Sequence, residues 1–229
     1  MTQTKAADAG TKQVRDVRGY FRKALAFTAP LPLLAMGINY LFLDLPENGD
    51  FNDMVDAVSA NQTMLNIAHW TTLVFFAGLI PAVLAVALVS YRAAPRLTAV
   101  GATMCMIGIP LGIGGPNDHV LAELTVEKQL DVGTIKQLDE AWWAMPSVGV
   151  ASLAFILAIV IGLLLLGLAL ARCDVVPKWF GYALAVGGFT HPFIPYHELV
   201  GIGLIVGAVG FAGASIALLR TSDDEFLPA

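Results

Sequence analysis

Apolar and polar positions alternate along this chain in long blocks. Six stretches without a charged side chain cover residues 24–43, 70–91, 97–116, 147–171, 179–196 and 199–219. A bilayer core about 30 Å thick takes about 20 apolar residues per helix, so each block predicts a membrane-crossing helix, with 179–196 the shortest. The polar blocks between them are a basic segment over 1–23, an outer loop over 44–66 and a longer outer stretch over 117–140. In this last stretch the apolar spacing of HVLAELTVEKQL predicts one or two short amphipathic helices. The chain therefore divides into an N-terminal tail (1–23), a transmembrane domain (24–220) and an acidic, solvated tail (221–229). The expected fold is an all-α integral membrane protein, a bundle of six transmembrane helices with both termini cytoplasmic.

Composition agrees with this division. Of 229 residues, 57% are hydrophobic and 14% charged, against about 25% charged in soluble domains. Charge then gives the orientation. Eleven of the thirteen Lys and Arg residues fall in 1–23, 92–96, 172–178 and the C-terminal segment, which share one face. By the positive-inside rule that face is cytoplasmic. Twelve of the eighteen acids, from Asp44 to Glu198, fall on the other face, as do His69, His119, His191 and His197. Trp70, Trp142, Trp143 and Tyr196 flank the outer edges, as interfacial aromatics do. Prolines at 30, 32, 81 and 110 are expected to kink helices. Gly203-x-x-x-Gly207 is a close-packing motif of the last span.

Candidate chemistry gathers on the outer face. In Thr190-His191-Pro192-Phe193-Ile194-Pro195-Tyr196-His197-Glu198 two prolines remove amide donors. Carbonyls freed within a bilayer need protein or water partners, which predicts an outward-opening polar pocket. His119 and Glu123 share a helical face if their stretch is helical, Asp118 precedes them, and His69 stands beside Trp70. Imidazole suits copper, zinc and iron, and two imidazoles on facing helices suit haem. The expected ligands are His191 and His197, joined by His119 or His69, with Glu198 and Asp118 as ligands or as acceptors that orient the rings. On this reading the protein serves membrane redox chemistry.

Two alternatives stand beside it. One is a transporter or an accessory subunit, docking to other membrane subunits or to its own copies. Its motive is the kinked helices, the glycine face and two similar cytoplasmic turns, Arg92 to Leu97 and Arg172 to Trp179. The other is an intramembrane acid–base enzyme acting on a lipid or isoprenoid, with Glu198 or Asp44 as proton donor. Lys23 and Lys178 sit at cytoplasmic edges, so no mid-span lysine offers a Schiff base, and no P-loop, GxSxG, HExxH or CxxC is present. Basic residues explained by topology leave no reason to expect nucleic-acid binding. Cys105 and Cys173 are expected as packing residues, and the acidic run Glu47 to Asp56 lacks the spacing of an EF-hand loop.

The layout, with a long first outer loop, a Pro177-Lys178-Trp179-x-Gly181 turn and a Gly-rich last helix, resembles that of small membrane proteins of actinobacteria. The likeness implies a bacterial plasma membrane, with the His- and acid-rich face extracytoplasmic, and implies no activity.

Overall fold

A computed structural model describes residues 17–42, 50–113, 117–190, 193–194 and 196–226. The described residues are almost all helical and include no strand. Five stretches are long and apolar enough to cross a membrane: Arg18–Phe42, Thr63–Ser90, Pro95–Lys128, Pro146–Ala171 and His197–Arg220. The first holds α1 (Arg18–Thr28) and α2 (Leu31–Phe42), separated at Ala29 and Pro30, where proline deprives the helix of a donor. Pro81 and Pro110, by contrast, lie inside continuous helices.

The polar outer loop expected over 44–66 contains α3 (Phe51–Ala60). Its signals are a capping box between Asp50 and Asp53 and an apolar stripe at Phe51, Met54 and Val58, all buried. Helix α4 (Gln62–Ser90) has 29 residues, about 43 Å at about 1.5 Å per residue. It is therefore longer than a bilayer core is thick, and its first turns carry Leu65 and Ala68 into the smaller apolar core described below. After α5 (Pro95–Ile113), the stretch HVLAELTVEKQL expected to be helical forms α6 (Asp118–Lys128), whose apolar residues are not gathered on one face, and α7 (Val132–Trp143) follows it. Helix α8 (Pro146–Leu157) passes through a π-helical turn at Ala158–Gly162 into α9 (Leu163–Ala171). Helix α10 (Trp179–Thr190) has only 12 residues. It is followed by α11 (His197–Arg220) and a terminal turn, α12 (Asp223–Phe226).

Two apolar cores result. The larger joins α1, α2, α4, α5, α9, α10 and α11 around Leu33, Phe75, Leu79, Leu166 and Phe211. Without water inside a bilayer, helices associate through close packing, which small residues permit. A methyl on Gly187 of α10 would strike the Gly207 backbone of α11 and meet the Gly203 carbonyl oxygen at 2.8 Å. One on Gly167 of α9 would meet the Gly181 carbonyl oxygen at 2.6 Å. The π turn lies against α5, where the Cys105 thiol donates to the Ala158 carbonyl at 3.3 Å. Both cysteines are free and buried, and Cys105 has the packing role expected of it.

The smaller core sits at one end. Phe51, Met54, Val58, Leu65, Ala68 and Ala122 form it, with Val132 and Ile135 packed alongside; these residues make a helical cap from α3, α6, α7 and the projecting start of α4. At the other end, Leu88, Arg92, Cys173, Leu218, Glu225 and Phe226 line a common cleft. There Arg22, nearly buried, donates to the Leu218 carbonyl and to Asp223, both at 2.8 Å. The acidic tail is thus not wholly solvated: Asp223 holds Arg22, and Phe226 joins the main core.

Candidate functional site

Among the described residues, the cap buries Thr125 and the carboxyl of Asp139 and brings two histidines close to carboxylate and sulfur partners. Helix α6 starts where the Asn117 side chain accepts from the Val120 amide at 3.2 Å. Helix α7 starts where Asp131 accepts from the Thr134 amide at 2.8 Å and from its hydroxyl at 2.7 Å. These bonds hold the Asp131 carboxyl below its ordinary range. With both starts fixed, α6 turns His119 and Glu123 toward α3 and α4, and Asp118 toward α7.

On the first side, the Glu123 carboxylate stands 3.5 Å from His69 Nδ1. His69 Nε2 is enclosed and lacks a hydrogen-bond partner. His119 Nδ1 lies 3.0 Å from the Met54 sulfur. Glu123 therefore pairs with the histidine of another helix, His69 on α4.

On the second side, Asp118 accepts a hydrogen bond from the Trp143 indole at 3.0 Å. Asp139 faces the same carboxylate. Asp139 is 9% exposed, and its Oδ1 is enclosed with no hydrogen-bond partner. Burial raises its pKa to about 6, reinforced by the negative charge of Asp118, a hydrogen bond with Asp118 and the charge of Glu140. A buried carboxylate facing another carboxylate is a costly arrangement, and a proton shared between them relieves it. Lys136, one turn earlier, is engaged elsewhere: its ammonium donates to Asp50. That bond is the main cause that lowers the Asp50 pKa and raises the Lys136 pKa.

The residues expected as ligands have different neighbours. His69, His119 and Asp118 belong to the cap. His197 opens α11 with its ring centroid 5.6 Å from that of Tyr40 on α2, and Glu198 beside it is exposed. His191, with Pro192 and Pro195, lies outside the described residues, as does Asp44. Among the described residues, no group of three or more His, Cys, Asp or Glu side chains could hold a metal ion. Asp118 is committed to α7 through Trp143 and Asp139.

Asp139 is the residue that sequence reasoning passed over. Its signal was present: Val132, Ile135, Asp139 and Trp142 recur at helical spacing on the inward side of α7, so the acid sits in the apolar stripe. Met54 and the His69–Glu123 pair depend on which helices meet, and no spacing within one segment encodes that. Compared with family models, curated proteins and solved structures, the chain matches none.

Proposed function

We propose that this is a six-span membrane protein, with both termini cytoplasmic, whose extracytoplasmic cap binds and releases a proton at the Asp118–Asp139 pair. The observation that carries the reading is the buried Asp139 carboxyl, with one enclosed, unpartnered oxygen and a second carboxylate, Asp118, as its neighbour. The Lys/Arg bias supports the orientation. The sixth crossing is supported by direction. Helix α10 begins near the cleft at the basic end, and α11 returns to that end at Leu218. This direction supports a crossing that begins with α10, which alone is about 18 Å long at about 1.5 Å per residue.

Infrared difference spectroscopy on protein in lipid nanodiscs tests the proton site. The carbonyl stretch of a protonated carboxyl should disappear with a midpoint of about pH 6 and be missing in Asp139→Asn. A wild-type spectrum with no such band, or one that Asp139→Asn leaves untouched, rules the site out.

The metal or haem reading keeps one favourable observation. Glu123 faces Nδ1 of His69 while Nε2 is enclosed and unpartnered, and a carboxylate on one ring nitrogen prepares the other for a metal. Elemental analysis and a visible spectrum of purified protein decide it, and no bound metal with no haem band ends it.

A further inference from the structure

We infer that α7 is a hinged strap whose second half is latched to α6 by the proton shared between Asp139 and Asp118, and released when that proton leaves. The inference rests on the proton site proposed above and adds a movement to it.

The two halves of α7 are held by different forces. In the first half, Val132 and Ile135 pack against the cap core, and Lys136 bonds to Asp50. Asp50 is shifted toward lower pKa and Lys136 toward higher, so both groups keep their charges throughout the range in which Asp139 titrates. In the second half, Asp139 is the one buried residue, and Leu138 and Trp143 are about half exposed. Trp142 is partly buried here, and the remaining hold is polar: the Asp139–Asp118 contact and the Trp143 indole hydrogen bond, which ends on the same Asp118 carboxylate.

Among the described residues, the nearby cations have other partners. Lys136 is occupied by Asp50, and the neighbouring Glu140 adds negative charge. On α6, Glu123 faces His69, Glu127 faces Lys128 at 3.4 Å, and His119 lies against Met54. Helix α8 contains no titratable side chain. When both aspartates are ionised, the like charges repel across a partly dry contact, while the hinge half stays anchored. The second half of α7 leads through Ala144 and Met145 directly into α8. Its release therefore frees the outer end of a membrane helix.

The test uses the full chain in nanodiscs, with spin labels on Leu124→Cys of α6 and Leu138→Cys of α7, both exposed positions. The native cysteines are buried. Distances are compared at about pH 4.5 and about pH 8, on either side of the Asp139 transition. The latch requires one short, narrow distance at the lower pH and a longer or broader distribution at the higher. Asp139→Asn stays neutral and its amide donates to Asp118, so it should stay short at both. Asp118→Asn should do the same, and it serves if the first variant does not fold. A distance that ignores pH while the Asp139 infrared band titrates overturns the latch and leaves the proton site standing. If the band does not titrate, both fall. Opening of both neutral variants at the higher pH also overturns the latch.

Discussion

A carboxyl whose pKa is raised by folding ties stability to pH with a definite sign. Folded protein binds the Asp139 proton more tightly than unfolded chain does, so stability falls as pH rises from about 4 to about 6 and levels off above. Below that window the group is protonated in both states and its contribution is complete. Asp139→Asn removes the dependence. At neutral pH the variant should melt at a higher temperature than wild type, and at about pH 4 the two should agree. Circular-dichroism melts at both pH values check this, and a variant that is less stable at neutral pH refutes it. The sequence displayed this acid at an inward phase of α7, yet a lone residue on one helix does not reveal that Asp118 of another stands opposite. The His69–Glu123 contact was hidden for the same reason, since nothing in either segment shows that α4 and α6 meet there.

At the scale of the element, the packing of short helices decides what is tolerated. Helix α10 is held between α9 and α11 by backbone-to-backbone approaches that leave no space for a methyl at Gly187. Gly187→Ala should cost about 1–3 kcal/mol, as overpacking does, and lower the melting temperature in detergent. Gly149 of α8 has nothing within 4 Å of an added methyl. There Gly→Ala should gain about 0.5–1 kcal/mol from helix propensity. Equal responses at the two positions would contradict this account of the packing. The spans themselves were legible because runs of apolar residues near bilayer length are hard to accommodate otherwise. Helix α3 was not, since its Asp- and Asn-rich surface masked the stripe of Phe51, Met54 and Val58. The extra turns of α4 were hidden for a related reason: they are polar outside and apolar only toward the cap.

For the whole molecule, the governing fact is the difference between its two ends. One end binds the helix termini together with arginine, and the other covers the bundle with helices rich in acids and histidine. On the proposed orientation, with the basic end cytoplasmic, a cysteine in place of Ser59, exposed on α3, should react with a membrane-impermeant maleimide in intact cells. One in place of Ala93, exposed after α4, should react only after permeabilisation. The reverse pattern would invert the molecule and move the proton site to the cytoplasm.

Arg22 joins partners 201 positions apart in the chain, and this bears on how the molecule is made. At about 5–20 residues per second of synthesis, the first helix waits on the order of 10–40 s before Leu218 and Asp223 emerge from the ribosome. Throughout that interval its guanidinium has none of its final acceptors. Closure of the bundle at its basic end thus waits for α11 and the turn after it, and a nascent chain halted before α11 is left with an unclosed ring and an arginine in need of a temporary host.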